Sequence, residues 1–156
     1  MEKEVLRINQ MFRAAAHGKP WHGDSVFKVL ENLTSEQAAK YPIKNAHSIW
    51  EILVHIINWR DYTVRTILDD EPYIVKLNTE KDWTTITDFS EDAWQATIER
   101  YKKSTDELSE ALSKVEDSIL DEIVPEHKFS LYTLLHGIIQ HDIYHSGQIV
   151  MLRKLL

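Results

Sequence analysis

SLYTLLHGIIQHDIYHSGQIVMLRKL, residues 130–155, decides the fold. Leu131, Leu134, Ile138, His141, His145, Gln148, Leu152 and Leu155 recur at steps of three and four, which puts them on one face of a long helix beginning near Ser130. In a helical bundle that face is the seam and holds Leu or Ile. Here two of its positions hold histidine. A buried imidazole without a partner costs roughly 1–3 kcal/mol, so the pair calls for an explanation.

Upstream the same spacing returns three times. Trp94, Ile98, Tyr101, Thr105, Leu108, Leu112 and Val115 form a seam behind Ser90, an N-cap followed by Glu91 and Asp92. A helix from about Ala46 to Asp70, stopped by Pro72, carries Ser48, Ile52, His55, Trp59, Tyr62 and Thr66. A first helix spans about Glu2 to His17, with Val5, Ile8 and Phe12 on its face and Gly18-Lys19-Pro20 as its end. Between these two, Asp24 is a plausible N-cap for a short helix through Leu30, and Thr34-Ser35-Glu36-Gln37 has capping-box form. Residues 71–89 make a polar connection of unusual length that includes Trp83 and Phe89. At ~3.3 Å per residue it can run the length of a bundle and join two parallel helices. The expected fold is an all-α four-helix bundle, and 156 residues suit one domain over 1–156.

Composition narrows the function classes. Charged residues make up 28% of the chain and the formal net charge is −7. Such a surface repels phosphate backbones, so nucleic acid is not an expected partner. Cysteine is absent, which removes disulfides, thiolate ligands and a cysteine nucleophile. No run approaches the ~20 apolar residues of a membrane span, and Met1–Arg7 has no signal-peptide character. The expected location is the cytoplasm. No phosphate-binding glycine loop is present.

The histidines carry the chemistry. Residues four apart share a helical face with Cβ atoms ~5–6 Å apart, so His141 and His145 can converge on one ion at ~2.0–2.1 Å. His55 occupies a seam position on another helix and supplies a third ligand. Three neutral nitrogens suit Zn, Ni, Fe or Cu rather than Mg or Ca, and leave at least one coordination position open. The competing reading is a metal-free bundle whose histidines are satisfied by hydrogen bonds. Glu51, one turn before His55, is either an acceptor for an imidazole N–H or a solvated polar residue. Gln148, one turn after His145, either bonds a metal-bound water or an imidazole, or caps a polar layer. Asp142 and Tyr144 point elsewhere on the helix, Tyr144 into packing. His136 is not counted as a ligand. His17, His22, His47 and His127 are expected in surface or capping roles. Trp21, Trp50, Trp59 and Trp94 are expected in the core or in pocket walls. Trp83 is a loop aromatic able to border an open metal site.

The stretch His141-Asp142-Ile143-Tyr144-His145-Ser146-Gly147-Gln148-Ile149, followed by Leu152-Arg153-Lys154, resembles the C-terminal signature of the DinB-like, YfiT-type proteins. Trp50-Glu51-Ile52-Leu53-Val54-His55-Ile56-Ile57-Asn58-Trp59 looks like their second-helix motif. The resemblance covers the chain in helix order. It implies a bundle in up-down-down-up order and a nickel or zinc ion on His55, His141 and His145. It also implies a homodimer. The function it implies is that of a metal-dependent thiol transferase or hydrolase acting on a small molecule, a low-molecular-weight thiol being one candidate. The alternative is a non-catalytic metal-binding stress-response protein.

Overall fold

The computed structural model describes residues 3–68 and 73–156. Six α-helices lie among the described residues: α1 Glu4–His17, α2 Val26–Leu30, α3 Ser35–Ala38, α4 Ile49–Leu68, α5 Glu91–Ser113 and α6 Leu131–Arg153. A 3-10 turn spans Asp117–Asp121, and the only extended pairing among the described residues is one isolated bridge, Ile123 to Ser130. None of these helices is long and apolar enough to cross a membrane. The expected helix start at Glu2, the end at Asp70 and the stop at Pro72 lie outside the described residues.

The helix starts follow capping chemistry. Ser90 and Ser130 accept from the backbone N–H three residues on, which satisfies an otherwise orphaned donor. Thr34 and Gln37 close a reciprocal capping box. The cap of α2 is Ser25, not Asp24. Serine fills the position that precedes the first helical residue, and Asp24 lies one residue too early.

The long helices α1, α4, α5 and α6 form the bundle, with neighbours in the order α1–α5–α4–α6–α1. Side-chain partners fix the directions. Asn9 and Ala16 on α1 meet Ser109 and Tyr101 on α5, so that pair is antiparallel. Trp50 and Arg60 on α4 meet Thr97 and Thr105 on α5, so those two run parallel. His55 meets His145, and Arg60 meets Asp142, so α4 and α6 are antiparallel. The order is up-down-down-up, and the long connection carries the chain back between the two parallel helices.

Two apolar cores result. One gathers Leu30, Trp50, Leu53, Trp94, Ile149 and Leu152. The other gathers Val5, Ile8, Phe12, Leu108, Leu112 and Leu135. Along α4, α5 and α6 the residues between them are Arg60, Ser104, Thr105, Asp142 and His145, all buried. A polar waist therefore crosses the middle of the bundle. Trp21, expected in the core or a wall, is fully exposed. It sits between helices, where no seam position is available to bury it.

Candidate metal centre

The waist holds two clusters. In the first, the fully buried guanidinium of Arg60 donates to Asp142 Oδ2 from Nε at 3.1 Å and from Nη2 at 2.6 Å. It also donates to Thr105 Oγ1 at 2.8 Å and to the Tyr101 hydroxyl at 3.0 Å. The Tyr101 hydroxyl in turn donates a hydrogen bond to the Ala16 carbonyl. Burial works against charge on Arg60, but Asp142 and Tyr101 outweigh it and raise its pKa. Burial pushes the Tyr101 hydroxyl up to about 12, so it stays a donor. Asp142 points elsewhere than the histidine row, as expected, yet not to the surface. It is instead in the core, because the innermost row of α6 is Leu135, Ile139, Asp142, Ser146 and Ile149, all buried and one step around from the histidine row. Sequence reasoning also missed Arg60. Its signal was the row Ile49, Leu53, Ile56, Arg60, Thr63, spaced 4-3-4-3, with a cation in a seam position.

The second cluster brings together His55 from α4 and His141 and His145 from α6. One ligand atom from each lies within 4.8 Å of the others, and among the described residues this is the group of side chains that could hold a metal ion. His141 Nε2 is 2.9 Å from His55 Nε2 and 3.1 Å from His145 Nε2. Two nitrogens bound to one ion at 2.0–2.1 Å stand about 2.9–3.4 Å apart for bond angles between octahedral and tetrahedral. Both spacings fit a shared coordination sphere.

Proton counting gives the same answer. His55 Nδ1 lies 3.0 Å from the Asp82 carbonyl oxygen and 3.1 Å from Asp82 Oδ1, so it carries a proton. His145 Nδ1 donates to Gln148 Oε1 at 2.7 Å. The Nε2 atoms of both rings are then bare acceptors aimed at His141, which has one Nε2 proton at most to offer. If that proton sits on Nδ1 instead, three bare nitrogens face one another. His141 Nδ1 is buried without a hydrogen-bond partner, as is Asp142 Oδ1, 3.9 Å away. Hydrogen bonds cannot satisfy this set, whereas a cation accepting three lone pairs does. The donor set therefore fits a divalent transition metal. Burial, followed by the neighbouring His141, lowers the pKa of His145 to about 4. Burial, opposed by the Asp82 carbonyl, also lowers that of His55. Both rings are thus held neutral, the form a metal requires.

The long connection completes the site. Asp82 is buried; its carboxylate accepts from Trp59 Nε1 at 2.9 Å and from the Asn78 backbone at 2.7 Å. It provides an acceptor able to orient the His55 imidazole, and no periodic signal could have found it in a loop. Trp83 stacks on His55 with ring centroids 3.9 Å apart, and His47 stacks on the other face of Trp83 at 3.5 Å. His47 is exposed, as expected, and also forms part of the wall of the site. Glu51 reaches none of the three clustered imidazoles. It accepts from the Tyr41 hydroxyl at 2.7 Å and the Ser48 backbone at 2.9 Å, and pairs with His47 at 3.3 Å. Tyr144 is exposed rather than packed.

A cavity of about 950 Å³ opens beside the cluster, bordered by Trp59, Trp83, Ile138, Tyr144 and Met151. Gly137 and Gly147 of α6 also line it, and a Cβ on either would meet no atom within 4 Å.

Fold and site together define a four-helix bundle with an inter-helical three-imidazole cluster open to a cavity. The family model of the DinB superfamily matches residues 21–149, a span that includes all three histidines. The chain belongs to the DinB superfamily. No curated protein and no solved structure matches it.

Proposed function

We propose that this DinB superfamily protein is a metal-dependent enzyme acting on a small molecule, of the thiol S-transferase or hydrolase type. His55, His141 and His145 would hold the ion, nickel or zinc. The observation that carries the reading is the convergence of three Nε2 atoms that cannot satisfy one another, next to a cavity large enough for a substrate. The ion would supply electrophilic activation of a thiol or of water at neutral pH.

The chain's own residues divide the remaining work. Asp82 and Gln148 hold the Nδ1 protons of His55 and His145 and so fix which nitrogen faces the ion. Trp83 and Trp59 cover the His55 side and limit water there. No cysteine is present, so sulfur in any thiol reaction comes from the substrate.

The first test is metal content of protein purified without a nickel column, in the native chain and in His55→Ala and His141→Ala. About one ion per chain, lost in both variants, is the expected result. Single-turnover reactions of the loaded protein with thiols or water and an electrophile then decide catalysis. A cobalt-substituted form whose spectrum ignores every added ligand would instead favour the non-catalytic metal-binding alternative.

A further inference from the structure

The cavity that opens beside the histidine cluster has a one-sided chemistry. Among the described residues its border includes no lysine and no arginine. Among the same residues its ionisable members are His47, the three clustered histidines, Asp82 and the Tyr144 phenol. Asp82 is a carboxylate already engaged by Trp59 and Asn78. Apart from the neutral polar side chains of Asn78, Tyr144 and Gln148, the rest of the wall is hydrocarbon and indole. The mouth is also apolar, with Leu77 71%, Tyr144 64% and Met151 58% exposed.

We infer that the substrate is a neutral, mainly apolar molecule bearing one small coordinating group, and not a carboxylate-bearing thiol. The inference rests on the metal reading above and deepens it. An anionic tail would lose its hydration in this cavity and find no cation to replace it. The negative net charge of the chain, −7, adds repulsion on approach. The one cationic centre would be the ion, and the coordinating head occupies that. An apolar body gains from burial against Trp59, Ile138 and Met151, in proportion to the area it covers. Two polar groups at the wall, the Gln148 amide nitrogen and the Tyr144 hydroxyl, are suited to a single carbonyl, alcohol or amide rather than to an ion.

The test compares two thiols of one shape on cobalt-loaded protein: benzyl mercaptan and 4-(mercaptomethyl)benzoate, read by the thiolate-to-cobalt absorption. The neutral thiol is expected to bind at least tenfold tighter. Equal affinity, or tighter binding of the carboxylate, overturns the inference. Leu77→Lys and Met151→Lys place a cation at exposed mouth positions where the fold has little to lose. Each should shrink the preference at least threefold; an unchanged ratio means the tail does not lie in this cavity. The metal-free protein supplies an independent arm, displacement of the neutral dye Nile red by toluene or by benzoate. Displacement by toluene alone supports the apolar site even if cobalt fails to bind, in which case the metal reading fails by itself. Displacement by benzoate as readily as by toluene, or no dye binding at all, overturns the inference whatever the metal does.

Discussion

Adjacent residues of α6, His141 and Asp142, serve two polar clusters that lie side by side in the waist and are built on opposite principles. The Arg60–Asp142 cluster is closed around its cation, and only Asp142 Oδ1, on the side of His141, is left without a hydrogen-bond partner. Its charges are equal and opposite, and the guanidinium spends its donors on Asp142, Tyr101, Ser104 and Thr105. The histidine cluster is open: neutral rings, acceptors turned toward one another and an unpartnered Nδ1 on His141. A closed polar cluster specifies how helices sit together. An open one is incomplete until something binds. The difference separates structure from function within one layer of the bundle.

The sharpest way to break the comparison is to open the closed cluster. Asp142→Ala strands a fully buried cation and should cost about 3–5 kcal/mol of unfolding free energy in urea denaturation. The double replacement Arg60→Met, Asp142→Leu should cost far less than the single change, since no unpaired charge remains. If both variants lose the same stability, the pair is not the closed unit described here.

Closing the open cluster should have the reverse signature. In metal-free protein His141→Ala removes an unsatisfied imidazole and should alter stability by less than about 1 kcal/mol. Saturating metal should stabilise the native chain by about 4 kcal/mol at a thousandfold excess over Kd and leave His141→Ala unmoved. Calorimetry of the four samples checks both halves.

Acid supplies a third contrast. His145 is held near 4 in the fold against 6.5 in an unfolded chain. Between those values the unfolded state binds a proton that the folded state does not. The contribution of His145 to metal-free stability should therefore fall as pH drops from about 6.5 toward 4 and level off below, by up to about 3 kcal/mol. His145→Gln should reduce that slope and leave the part due to His55, whose pKa burial also lowers.

A smaller effect is expected at the support of the open cluster. Asp82→Asn should weaken metal binding about tenfold, near the low end for an orienting partner, because the main-chain carbonyl of residue 82 still accepts from His55. Isothermal titration gives the number, and affinity equal to that of the native chain would remove the carboxylate from the site's design.

The four long helices were legible because burial on one side imposes a period of three and four. So were His55, His141 and His145, since each broke that period with a polar ring. Asp142 and Arg60 broke a neighbouring row just as plainly. They went unread because α6 is apolar on nearly every side, with α1, α2 and α4 all packed against it, so one histidine-bearing stripe looked sufficient. Asp82 and the Trp83–His47 stack were beyond reach. They depend on where an aperiodic connection returns to the bundle, which local preferences do not encode. Glu51 shares a face with His55 by spacing, yet the nearby Ser48 backbone and Tyr41 hydroxyl hold its carboxylate first.

Gly137 and Gly147 give the cavity wall a property of its own. A glycine inside a helix forgoes roughly 0.5–1 kcal/mol relative to alanine, and here each leaves unfilled room for a methyl. Gly147→Ala should raise the melting temperature while trimming the chamber by one carbon. The wall can be thickened in single-carbon steps without touching the register of the bundle, so the size of guest it admits is adjustable separately from the frame that holds it.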